Sequence, residues 1–173
     1  ATTDIYTLTL HDALPIFEAL DTALRRRFSF KEMPPKPELI KSKGASLELS
    51  GGKIDTVDVI KLLETINTRI EKLIDKDHKI GHSYFMHIST PEDLIKAFED
   101  KVIPLLEEYF FGDFGKIGLV LGNSFVQKEE SDEFEFANFD GYTNQVQDLK
   151  ERPVFKIRPS NEWNFTSIYE LTK

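Results

Sequence analysis

The run Phe17-Glu-Ala-Leu-Asp-Thr-Ala-Leu-Arg-Arg-Arg-Phe-Ser-Phe30 sets three consecutive arginines, Arg25, Arg26 and Arg27, between two apolar stretches. Planar guanidinium groups can grip a phosphate or carboxylate through two parallel hydrogen bonds, which a lysine ammonium cannot do. Leu20, Ala23 and Leu24 make a short helical face ahead of the triplet, and Phe28, Ser29 and Phe30 alternate after it as a half-buried strand does. The arginines therefore stand at a helix-to-strand corner, where an anion could be met; a solvated basic turn is the plain alternative. A second candidate is Ile80-Gly-His-Ser-Tyr-Phe85. There Gly81 permits a close backbone approach or a positive φ, while His82 and Ser83 carry polar groups next to it. The plain alternative here is that His82 bonds locally while Tyr84 and Phe85 pack.

Other chemistries find little support. His78, His82 and His87 lack the acidic partner that accompanies an i, i+4 histidine pair in a helical zinc site, so no metal is expected on them. No Gly-x-Ser-x-Gly run supports a serine nucleophile, and no Gly-x-x-x-x-Gly-Lys-Ser/Thr phosphate loop occurs anywhere in the chain. The acidic run Glu129, Glu130, Asp132, Glu133, Glu135 and Asp140 reads as a solvated loop, because linear clustering does not show convergent ligands. Trp163 and Tyr169 lack the interleaved basic residues of a base-stacking groove and read as core or docking residues.

The elements that must position these residues follow from periodicity. Pro34-Pro-Lys-Pro37 ends the strand near Phe28 to Met33 and opens a linker, read over 34–54. Val57, Ile60, Leu63, Asn67, Ile70 and Ile74 recur at helical spacing, predicting a helix from Thr56 to Asp75 capped by Asp55 or Thr56. Ser89-Thr-Pro-Glu-Asp93 announces a second helix, with Thr90 as cap, Asp93 completing a capping box, and Leu94, Ala97, Phe98 and Lys101 on one face. Pro104 should break or kink it, giving a third helix stopped by Gly112 and a fourth over Asp113 to Leu121 ended by Gly122. Four helices with short connections make a small bundle over 55–124. From 125 to 173 the texture changes to a small β-containing tail, with a turn at Gly141-Tyr142 and a strand at Val154, Phe155 and Ile157.

Leu20-Asp-x-Ala-Leu-Arg-Arg-Arg-Phe28, Ile66-Asn-Thr-Arg-Ile70, Ile80 to Phe85 and Ile103-Pro-Leu-Leu-Glu-Glu-Tyr-Phe-Phe-Gly-Asp113 follow one another in the order of a known family. Together they resemble the arginine-finger segment and lid of AAA+ NTPases, in the branch of the McrB-type GTPase subunits of modification-dependent restriction systems. The resemblance implies an α+β, mainly α chain: the C-terminal edge of an AAA+ α/β core over 17–33, then the linker, the lid and the tail. It assigns a finger role to Arg25, Arg26 or Arg27, with the place before Phe28 favouring Arg27, and a sensor-like approach to the nucleotide to Gly81, His82 and Ser83. The usual sensor arginine is absent from that motif; Lys79 is a possible substitute. The implied cofactor is GTP or ATP with magnesium. The implied partners are further copies in a homo-oligomeric ring, a hexamer, together with a nuclease subunit and, through it, DNA. In that family the phosphate loop precedes the finger, so these 173 residues alone should turn over no nucleotide.

Ala1 to Ile16 look like the translation of a sequencing adapter, which would differ by Glu at position 4 and Ser at position 9, and they are set aside as an assembly artefact. Net charge is −8, or −6 without Asp4 and Asp12, so the surface as a whole repels nucleic acid. The absence of cysteine and of long apolar runs fits a cytoplasmic protein without a membrane span. The rival reading from another class is a non-enzymatic helical module whose arginines bind an acidic partner or a nucleic-acid backbone.

Overall fold

The longest helix, α1, spans Val59–Leu73 and buries Val59, Leu62, Leu63, Ile66, Asn67 and Ile70 along one stripe. The computed structural model describes residues 33–129, 136–137, 146 and 149–170; Arg25 to Arg27, Gly141 and Tyr142 lie outside them. The chain divides into two units, Ala1–Met33 and Pro34–Lys173, and every element named below belongs to the second.

Helix α1 begins later than its periodicity suggests. Lys53–Ile54 (β1) and Val57–Asp58 (β2) pair as a minimal antiparallel hairpin, turned by Asp55 at φ 50. The cap is consequently Asp58, whose carboxylate accepts from the Lys61 N–H at 3.0 Å, and neither Asp55 nor Thr56. The expected apolar positions Val57, Ile60 and Ile74 are only half-buried, while Leu62 and Ile66 are fully so. Hydrophobic stripes on core helices are wider than one residue per turn.

Helix α2 (Pro91–Ala97) opens on the expected capping box. Thr90 Oγ1 accepts from the Asp93 N–H at 3.1 Å, and Asp93 Oδ2 accepts from the N–H groups of Thr90 (3.1 Å) and Ser89 (3.0 Å). Beyond it the chain does not break at Pro104. Phe98–Val102 forms a π-turn that leads directly into α3 (Ile103–Tyr109), with the Ile103 N–H reaching the Phe98 carbonyl. A proline lacks the N–H of the regular ladder and crowds the preceding turn; widening that turn by one residue accommodates both. The extra residue also moves the buried face, so Val102 is buried where Lys101 was expected and Lys101 is exposed.

Helix α3 ends in a Schellman arrangement: Gly112 N–H bonds Glu107 O at 2.8 Å and Phe111 N–H bonds Glu108 O at 3.3 Å. The residue just past the cap is thus Phe111, at φ 52 and 97% exposed, with Gly112 following it. Helix α4 (Phe114–Leu121) is capped by Asp113, as expected, and buries Ile117, Val120 and Leu121 before Gly122 closes it.

Val126–Lys128 (β3) and Phe155–Ile157 (β4) pair antiparallel, Val126 opposite Ile157 and Lys128 opposite Phe155. This ribbon packs against α4: a Cβ on Gly118 would stand 3.4 Å from Val126, and one on Gly115 3.4 Å from the Phe155 ring, at the near edge of ordinary contact. The segments on either side of the bundle share its core. Ile40 and Leu47, in the stretch read as a linker, are buried, as are Phe125, Phe165 and Ile168 in the tail. The Trp163 ring stacks on Phe125 at 5.2 Å, its Nε1 donates to Arg158 O, and Phe165 meets Phe98 edge-on at 4.9 Å. Tyr169 Oη accepts from the Asp58 N–H at 3.0 Å, and the Arg69 guanidinium donates to the carbonyls of Val120 and Ile168. Trp163 and Tyr169 are therefore core and docking residues. Among the described residues the fold is mainly helical with short strands, the α+β class expected.

Removing the Thr90 hydroxyl (Thr90→Ala) should destabilise the protein by about 1 kcal/mol in urea denaturation. The Asp93 carboxyl is held below its ordinary value first by the Ser89 N–H, then by the N–H and hydroxyl of Thr90. A lowered folded value means that its contribution is complete above the unfolded carboxylate range and is lost as pH falls through the folded one. Asp93→Asn should accordingly show a shallower fall of the urea midpoint with acidification than the parent sequence.

Candidate functional site

Asn67 is the one buried polar side chain among the described residues, 5% exposed within an otherwise apolar stripe of α1. Its carboxamide is spent on the backbone of a single residue, Ile80. Oδ1 accepts from the Ile80 N–H at 2.6 Å, and Nδ2 donates to the Ile80 carbonyl at 2.9 Å. A carboxamide used in this way pairs with backbone as a neighbouring strand would, and it fixes both the position and the orientation of the chain at Ile80. The Ile80 side chain, 1% exposed, enters the core beside it.

The residues on both sides of Ile80 take their places from this anchor. Upstream, Asp75 caps the short turn Lys76–His78, accepting from the Asp77 and His78 N–H groups and from His78 Nδ1 at 2.7 Å. The side-chain hydrogen bond from His78 is the main cause holding the Asp75 carboxyl below its usual value. The His78 ring stands edge-on to Tyr109 at 4.9 Å. Burial pushes the Tyr109 phenol up, with Tyr84 adding to the shift. Lys79 Nζ pairs with Glu71 on the outer side of α1 at 2.7 Å, a half-exposed bridge.

Downstream, Gly81 adopts φ −70, ψ 143, an extended conformation open to any residue. The positive φ allowed for it is not used, and a Cβ there would find only ordinary contact, 3.4 Å from Ser83 Oγ. His82–Phe85 then forms one 3₁₀ turn, pinned by the fully buried Phe85. His82 is half-buried and Ser83 exposed. His82 Nδ1 accepts from the Lys36 N–H at 3.3 Å. An accepting Nδ1 puts the proton of a neutral imidazole on Nε2. His82 is half-buried, and none of the described residues provides a partner for this Nε2.

The turn thus brings together Gly81, His82 and Ser83 and presents two outward groups, an imidazole N–H and a hydroxyl. Such a pair can donate hydrogen bonds to the oxygens of an anion. It carries no nucleophile with an adjacent base, and among the described residues no group of three histidine, aspartate or glutamate side chains could hold a metal ion. Asn67 had no assigned role in the sequence; the available signal was a polar residue on an apolar helical stripe, and the missing information was its partner. A groove of about 780 Å³ between α4 and the ribbon was also not foreseen. Two of its cations are already paired, Lys156 with Glu129 at 3.0 Å and Arg158 with Glu162 at 2.9 Å.

Comparison with known proteins bears on the segment that holds this turn. Residues 58–118 match the family described as McrB, alpha-helical lid domain. Over 103 residues the chain is 32% identical to the type IV methyl-directed restriction enzyme EcoKMcrB subunit of Escherichia coli (strain K12), covering 54% of this chain and 22% of that protein. The chain thus spans about a fifth of the curated relative it matches. These matches support the resemblance to a fragment of an McrB-like restriction subunit that carries the lid. No helix among the described residues is long and apolar enough to cross a membrane.

Asn67→Ala would leave the Ile80 N–H and carbonyl buried without partners, which should cost on the order of 3 kcal/mol. Urea denaturation measures this directly, and a loss under about 1 kcal/mol would show that the paired amide is not the anchor of the turn.

Proposed function

We propose that this chain is the finger-and-lid portion of an NTP-hydrolysing subunit of a restriction system, and that the Gly81–Ser83 turn faces the nucleotide of its own subunit. The observation that carries the reading is the match of residues 58–118 to the McrB lid, in which that turn is rigidly placed. The half-exposed donors of His82 and Ser83 suit the oxygens of a phosphate chain, which accept and cannot donate when ionised. The nucleotide, GTP or ATP with magnesium, supplies the phosphoryl group to be transferred and the metal charge that neutralises it.

In this reading Arg25, Arg26 and Arg27 act on the nucleotide of a neighbouring copy. A guanidinium held beside the transferring phosphoryl group stabilises charge that develops there, and it does so without becoming protonated or deprotonated. The lid contributes position: His82 and Ser83 bind and orient, and the α1 anchor prevents the turn from relaxing away. A ring of copies, hexameric, places each arginine corner at its neighbour's nucleotide. A nuclease subunit acting on DNA is the partner driven by the turnover. The magnesium-holding carboxylates belong to a part of the subunit that this stretch does not supply.

The test uses a longer chain that carries a phosphate loop ahead of Arg25. Alanine at the finger position should lower turnover by about a thousandfold or more while leaving nucleotide affinity within a few fold. His82→Ala should weaken nucleotide binding instead. Turnover unchanged in Arg25→Ala, Arg26→Ala and Arg27→Ala alike would overturn the finger assignment, and the 173-residue chain alone should hydrolyse neither GTP nor ATP.

A further inference from the structure

The segment that enters the bundle reads Pro34-Pro-Lys-Pro37, and of its four residues only Lys36 has a backbone N–H to give. That single donor goes to His82 Nδ1 at 3.3 Å. Further along the chain, the Ser46 N–H donates to the Met86 carbonyl at 3.0 Å, beyond the other end of the turn. Between these two points Lys36 O accepts from the Leu39 N–H, and Ile40 is fully buried. The proline run is therefore seated by its own short turn, with its one free donor aimed at the imidazole.

We propose that Lys36 is a positioning residue whose backbone N–H selects the tautomer and ring orientation of His82. A donor facing Nδ1 excludes the ring form with its proton on that atom, and it leaves Nε2–H as the outward group. The turn is thereby committed to ligands that accept a hydrogen bond, such as phosphoryl oxygens, and the Nδ1 lone pair is withheld from metals. A second consequence is mechanical. Any ligand that pulls on His82 pulls on the proline segment, because one imidazole holds both. The ligand class rests on the reading of the turn as nucleotide-facing, whereas the tautomer and the latch do not.

Both can be read in the 173-residue chain without nucleotide. Long-range nitrogen-15 NMR of the imidazole should show His82 protonated on Nε2 at neutral pH. Lys36, flanked by prolines, gives an isolated amide signal, whose hydrogen exchange should quicken by up to about tenfold in His82→Ala. His82→Asn carries an oxygen where Nδ1 stood and should restore slow exchange, which a merely space-filling role for the ring would not predict. A ring protonated on Nδ1, or a Lys36 amide that exchanges equally fast in the parent chain and in His82→Ala, would overturn the proposal. Those results would leave the nucleotide reading untouched, since that reading is decided by affinity and turnover in the longer chain.

Discussion

Everything near the candidate site hangs on one carboxamide. A buried polar side chain without partners is costly, so Asn67 can occupy the apolar stripe of α1 only because Ile80 returns both of its hydrogen bonds. The obligation is mutual: the Ile80 peptide lies in the core, where its own N–H and carbonyl need partners as much as the amide does. That reciprocity turns a loop into a fixed feature. From Asp75 to Phe85 the chain has no long helix or strand of its own, yet its course is set by the Asp75 cap, the Asn67 pair and the buried Phe85 in succession.

Local chemistry was legible in the sequence, and chemistry between distant segments was not. Thr90 with Asp93, and Asp113 with the glycine after Leu121, mark helix ends within three or four residues of themselves, and the structure places those ends as read. The start of α1 was misplaced because a hairpin of two-residue strands competes for Val57 and Asp58, a signal too short for periodicity to register. The π-turn was invisible because a proline in a helical pattern ordinarily means a break. At the site, Gly81, His82 and Ser83 were singled out by residue type and by resemblance, and being consecutive they needed no fold to bring them together. Their supports could not be read, since Ile80 lies thirteen residues from Asn67 and Lys36 forty-six from His82. The arginine corner, the most chemically suggestive run in the sequence, lies outside the described residues.

The lid match ends at residue 118, but the core that supports it does not. Phe98 is ringed by Phe85 from within that span and by Phe125, Trp163 and Phe165 from beyond it. Arg69 and Tyr169 add polar ties, the first from α1 to the carbonyls of Val120 and Ile168, the second from the tail to the N–H of Asp58, the α1 cap. Burying part of the Arg69 guanidinium disfavours its charge, though not enough to remove a proton from a group of such high basicity. The bundle, the stretch before it and residues of the tail therefore share one contiguous core, and a lid cut at the limits of the match would expose aromatic surface.

The π-turn carries a consequence for how this fold tolerates change in length. Each residue of an α-helix turns its side chain by about 100°, so the one additional residue in Phe98–Val102 sets the angular phase of everything after it. Leu106 and Phe110 face the core only in that phase. Deleting a single residue there would rotate α3 off its buried side, whereas a substitution at the exposed Glu99, Asp100 or Lys101 leaves that phase intact. The exposed positions of the segment are thus permissive to changes of identity but not of count, while the fully buried Phe98 and Val102 are constrained in both.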